Sequence, residues 1–181
     1  MLFAHDTECS LTAAAALVNT GGSDGEGLPD VAALDEFYVA HAYTGRHEHT
    51  EAELASVRAL RPRLRRLWDA DIDEVVQIVN GLLRENEALP QLITHDDEPY
   101  HFHAVPRDAP LAIRMAVEAA MAVADLVRNG ETSRLRTCAH PDCDNVLVDL
   151  SKNRSRRFCE AGCGNRAAVT AYRARKAASR G

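Results

Sequence analysis

The 181-residue chain contains no run of about 20 apolar residues of the kind a membrane span requires. Its richest stretch, Ala109 to Val127, is broken by Arg114, Glu118 and Asp125. A secretory signal is missing too: His5, Asp6 and Glu8 stand where a basic segment would, and the apolar run Ala13 to Val18 is short. These absences predict a soluble, cytoplasmic protein. No glycine-rich phosphate loop, nucleotide fingerprint or Ser/His/Asp order stands out, so nothing argues for an enzyme. There is no internal repeat and no low-complexity linker, and the only obviously flexible stretch is the loop at Gly21–Gly27. Hydrophobic residues at 46% and charged residues at 27% lie near globular averages, which excludes wholesale disorder.

What the chain does have is unevenly distributed. Residues 1–133 hold 10 Lys+Arg against 23 Asp+Glu, a net of -13, whereas residues 134–181 hold 11 against 4, a net of +7. Cys9 stands alone in the acidic part, and the other four cysteines all lie in the basic part. The chain therefore reads as two modules, an acidic body (1–133) and a basic C-terminal piece (134–181), and basic pieces commonly meet polyanions.

Hydrophobic periodicity makes the body mainly helical. Ser10 is placed to cap a helix through Leu11 and Val18, and Pro29-Asp30 opens a second through Leu34 and Phe37. Thr50 and Glu53 have capping-box spacing before a helix whose apolar face runs from Leu54 to Trp68 and whose other face carries Arg58, Arg61, Arg63, Arg65 and Arg66. Pro62 is expected to kink or interrupt that helix. Asp71 and Glu74 repeat the capping logic. Leu92-Ile93 and Tyr100-x-Phe102 flank Asp96-Asp97-Glu98 as a small hairpin, with that acidic segment at its tip. A long core helix then runs from Asp108 or Pro110 to Asn129, its Arg114, Glu118, Asp125 and Arg128 forming a narrow polar stripe. The fold class is α+β: a predominantly helical N-terminal domain with a small hairpin, then a zinc module of cysteine pairs followed by a helix.

Cys138-x4-Cys143, a fifteen-residue gap and Cys159-x3-Cys163 supply two knuckle-like halves of a thiolate cage. In a cytosolic chain such spacing favours one structural Zn2+ over disulfides. His140 falls inside the first pair and reads as a loop residue. Beyond Cys163 a helix is expected to carry Ala167, Ala171, Ala174 and Ala178 on one face for close packing, and Arg166, Arg173, Lys176 and Arg180 on another.

The segment Ser151-Lys152-Asn153-Arg154-Ser155-Arg156-Arg157-Phe158-Cys159, with Cys163-Gly164-Asn165-Arg166 and Ala171-Tyr172-Arg173-Ala174-Arg175, resembles the bacterial CGNR zinc-finger family. In that family the finger lies behind an ABATE-type domain described as a stress-induced transcription regulator. Leu17-Val18-Asn19-Thr20 resembles the family's early LxNT-like segment. The resemblance spans essentially the whole chain and is most specific from Arg134 onward. It implies that Cys138, Cys143, Cys159 and Cys163 are the zinc ligands and that the surrounding arginines face DNA.

On this reading the protein is a transcriptional regulator that binds double-stranded DNA in the cytoplasm, at the nucleoid when bound. Phosphate contacts would come from Lys152, Arg154, Arg156, Arg157 and the stripe with Lys176 and Arg180, and base contacts from Asn165, Arg166 or Arg173. The body would sense a small-molecule effector or form a homodimer. Two alternatives stay open: a zinc protein that binds structured RNA, and a zinc-braced protein–protein adaptor. His41, His47 and His49, like His95, His101 and His103, are close in sequence and could bind a second metal, but they read first as loop or strand residues.

Overall fold

The computed structural model describes residues 2–22, 25–94 and 100–178. Among them are six α-helices and two two-stranded antiparallel sheets, and no helix is long and apolar enough to cross a membrane. Helix α1 (His5–Asn19) begins more than a turn before the expected cap. Ser10 lies inside it. Asp6 and Glu8 supply negative charge to its first turn, and Glu8 Oε1 accepts from the N–H groups of Leu2 and Phe3 at 2.7 and 3.1 Å.

The local caps of the next helices form as expected. Asp30 accepts from the Ala33 N–H at the start of α2 (Val31–Ala40), and Asp71 from that of Glu74 at the start of α4 (Ile72–Glu85), both at 2.9 Å. Between them, Thr50 Oγ1 accepts from the Glu53 N–H at 3.2 Å to start α3 (Glu51–Asp69). The reciprocal half of that box is absent, because the Glu53 carboxylate turns to the preceding loop. Pro62 does not interrupt α3. The carbonyl it deprives of a partner, Arg58 O, accepts instead from Arg61 Nε at 3.3 Å. The five arginines of α3 are all engaged: Arg58 with the Leu28 carbonyl, Arg61 with Glu26, Arg63 with Glu85, Arg65 with Asp69 and Arg66 with Glu74.

The hairpin pairs β1 (Gln91–Ile93) with β2 (His101–His103), Leu92 opposite Phe102. That apolar pair faces outward, at 58% and 53% exposure. The acidic segment Asp96-Asp97-Glu98 expected at its tip lies outside the described residues, as does Arg180.

Helix α5 (Leu111–Arg128) is the centre of the core and packs on α1, α3 and α4 through residues such as Leu111, Met115, Val123 and Leu126. Its expected polar stripe needs correction at Arg114, which is buried. The guanidinium donates to the carbonyls of Ala109, Thr44 and Arg46, tying the α2–α3 loop to α5. Gly45 in that loop has φ +90, and a Cβ there would lie 2.4 Å from the Arg107 carbonyl oxygen.

A 3₁₀ turn (Thr132–Arg134) leads into β3 (Leu135–Thr137), which pairs with β4 (Val146–Val148). All three β4 residues are buried, Val146 and Val148 in the main core and Leu147 against the cysteines. The side-chain amide of Asn19 pairs with Val146 as an extra strand would, its Oδ1 accepting from the Val146 N–H at 2.7 Å and its Nδ2 donating to the carbonyl at 2.9 Å. Trp68 Nε1 donates to the Leu147 carbonyl at 2.9 Å. The last helix, α6 (Cys163–Ala178), departs from the expected alanine packing: Ala171 and Ala174 are exposed.

Candidate metal centre

Short backbone closures bring the four C-terminal cysteines together. The Cys138 N–H bonds the Asn145 carbonyl at 2.8 Å and the Cys143 N–H bonds that of His140 at 3.1 Å, folding the first pair into a knuckle at the end of β3. Gly162, at φ +75, turns the chain so that Cys163 enters as the first residue of α6. All four sulfurs lie within 4.8 Å of one another, and three of the four residues are buried. Cys159 Sγ is 3.7 Å from Cys143 Sγ and 3.5 Å from Cys163 Sγ.

These distances exclude a disulfide, whose sulfurs are about 2.05 Å apart. They fit a tetrahedral ion with bonds of about 2.3 Å, which sets sulfurs about 3.8 Å apart. Donors already converge on the sulfurs. The Cys159 N–H reaches Cys138 Sγ at 3.5 Å, Asn145 Nδ2 reaches Cys159 Sγ at 3.7 Å, and Arg166 donates to Cys163 Sγ at 2.8 Å. Burial pushes the Cys143 thiol up to about 12, and the three neighbouring sulfurs add to the rise. The arrangement resists a cluster of bare thiolates and suits a soft divalent cation, with no position left open for water. His140 stays out of the cluster; its Nδ1 accepts from the Asp142 N–H at 3.3 Å.

The expected nucleic-acid contacts differ in their surroundings. Arg154 pairs with Glu131 at 2.7 Å and Arg156 with Glu160 at 2.9 Å. Arg166 lies on the cluster itself, and Arg157 is exposed with its guanidinium over the Phe158 ring at 5.8 Å. Lys152, Asn165, Arg173 and Lys176 are on the surface, the last three on α6. The organiser of the basic loop is a residue that sequence reasoning missed. Asp149 is fully buried, accepts from the Ser151 N–H and hydroxyl and from the Arg156 N–H at 3.0 Å, and pairs ionically with Arg136 at 3.2 Å. Burial opposes its charge, but those donors hold its carboxyl below the usual range. The Asp-x-Ser spacing of an Asx turn was the available signal.

Residues 134–176 match the CGNR zinc-finger family, and residues 11–130 match the ABATE family, whose description is "Putative stress-induced transcription regulator". A search of curated proteins finds no match. The four-cysteine cluster falls wholly within the finger match, and the helical core from Leu11 to Gly130 within the other. The chain belongs to the ABATE family and carries a CGNR zinc finger at its C-terminal end.

Proposed function

We propose that the protein is a DNA-binding transcription regulator in which Cys138, Cys143, Cys159 and Cys163 hold one structural zinc ion and α6 meets the duplex. The observation that carries this reading is the state of α6: apart from Ala167, every residue from Asn165 to Ala177 is exposed. A helix with no packed face has its whole surface free to meet a partner, and the +7 charge of residues 134–181 suits a polyanion.

Zinc, when bound, fixes the first residue of α6. Lys152, Arg154, Arg156, Arg157 and Lys176 supply phosphate contacts, and Asn165 or Arg173 the base edge; Arg166 steadies Cys163. The ion pairs of Arg154 and Arg156 are partly exposed and contribute little, so they exchange readily for phosphate. Residues 1–133, at -13, oppose nonspecific adhesion and are left to sense an effector or to dimerise. The working location is the cytoplasm.

The test is selection of fragmented genomic DNA by the zinc-loaded full-length protein at about 150 mM salt. A shared short motif is expected. Replacing Arg173 and Lys176 with alanine should weaken binding and lower the salt slope by about 1 per lost phosphate contact. Failure to retain DNA, with retention of RNA or of neither polymer, would replace this reading with an RNA-binding or adaptor role.

A further inference from the structure

We propose a second metal site in the helical body, built from Asp35, His47 and His49 and taking a divalent first-row ion such as Zn2+. It is independent of the cysteine cluster and of DNA binding. Asp35 comes from α2 and the two histidines from the loop before α3. Asp35 Oδ1 lies 2.8 Å from His47 Nε2 and 3.0 Å from His49 Nδ1, and all three ligand atoms fall within 4.8 Å of one another.

The state of His47 points to a ligand. Its side chain is 7% exposed and lies against the Tyr38 ring, with centroids 4.5 Å apart. Its Nδ1 is 2.7 Å from Glu53 Oε2. That oxygen also accepts from the backbone N–H groups of Glu48 and His49 at 2.9 and 3.2 Å. A carboxylate oxygen gathering donors assigns the ring proton to Nδ1 and leaves the Nε2 lone pair facing Asp35 and His49. Nε2 is buried and makes no hydrogen bond, although Asp35 Oδ1 is in range. A lone pair held against a carboxylate oxygen without hydrogen-bond alignment is the arrangement a cation resolves. Glu53 then has the part of a carboxylate that orients a metal-bound imidazole.

The distances agree with this. In a six-coordinate site, metal bonds of about 2.0–2.1 Å at right angles place neighbouring ligand atoms about 2.9 Å apart, close to the 2.8 and 3.0 Å found here, whereas a tetrahedral ion would spread them to about 3.4 Å. Two imidazoles and one carboxylate are a borderline-soft donor set suited to zinc, nickel, cobalt or iron(II). The loop is also fixed in place: Arg114 grips the carbonyls of Thr44 and Arg46, the Tyr38 hydroxyl donates to that of Gly45 at 3.0 Å, and the Arg46 N–H bonds the Arg107 carbonyl at 2.9 Å. Asp35 and His49 are 40% and 60% exposed, so the outer side is open to water and the ion is exchangeable. An exchangeable ion in the body is a chemical signal the protein can read.

Full-length protein whose cysteine cluster has been saturated with Zn2+ is cleared of loose metal by gel filtration, then titrated with Zn2+ in a calorimeter. One further equivalent is expected. His49→Ala and Asp35→Asn, both at exposed positions, should weaken that equivalent at least tenfold while the zinc of the cysteine cluster, counted by elemental analysis, stays in place. Absence of the further equivalent, or equal affinity in both variants, overturns the proposal. His47→Ala is the third variant, and the two surface variants decide the matter if it does not fold.

Discussion

Glu118 on α5 is half-buried, and burial pushes its carboxyl up to about 7 against the pull of Arg114 and His101. An acid whose pKa rises on folding binds more protons folded than unfolded between its ordinary value and the raised one. Stability must therefore fall as pH rises from about 4.5 to about 7. Glu118→Gln should abolish that component, leaving the variant more stable than the parent at the alkaline end. Urea unfolding of both proteins at several pH values measures it, and parallel profiles would show a solvated carboxylate. Neither Glu118 nor Arg114 reads as buried in the sequence, where both belong to a polar stripe. What buries Arg114 is a set of carbonyls at Thr44 and Arg46, about 70 residues away, and no local pattern carries that information. The Asp35–His47–His49 cluster hides for the same reason. The two histidines are visible as neighbours, but their carboxylate comes from a different helix, and Glu53 shows only as a helix cap.

The elements that were legible are those whose signals are local. Asp30, Thr50 and Asp71 each cap the helix that follows, because a cap needs only the next three residues. Helix α1 starts ahead of Ser10 because acidic first-turn residues outweigh a serine, and Pro62 leaves α3 uninterrupted because an arginine side chain satisfies the carbonyl it orphans. Asn19 stood out only within its LxNT-like segment, and its partner strand lies 127 residues on. Asn19→Ala leaves both polar groups of Val146 unpaired at a part-buried site and should cost about 1–3 kcal/mol. Asn19→Asp should be no better, since it keeps the acceptor, loses the donor and turns a charge toward a carbonyl oxygen. Chemical denaturation checks both, together with faster hydrogen exchange at the Val146 amide. Values within about 0.5 kcal/mol of the parent would mean that the two Asn19 bonds add nothing to what β3, Trp68 and apolar burial already do for β4.

For the molecule as a whole, the cysteine cluster was readable because its four members fall within the short span 138–163 and converge through local turns. The bareness of α6 was not readable, since alanines at packing intervals look the same whether or not anything packs on them. A helix of 16 residues with almost no tertiary cover is marginal in water. Chelating the metal should therefore melt α6 while α1 to α5 stay folded: a partial loss of far-ultraviolet helical signal, with the main thermal transition little moved. An unchanged spectrum after complete removal of zinc would show that the sulfurs do not hold the helix. The pairing of Asn19 with β4 has a further consequence, for the order of events during synthesis. The first helix leaves the ribosome early, but the strand that covers its inner face is made more than a hundred residues later. Until then the nascent core is open along one side, with Trp68 and the valine seats uncovered. A truncated product ending near residue 133, as an early stop would generate, is thus a sticky intermediate and not a spare regulator, and the cell's quality control should treat it as one.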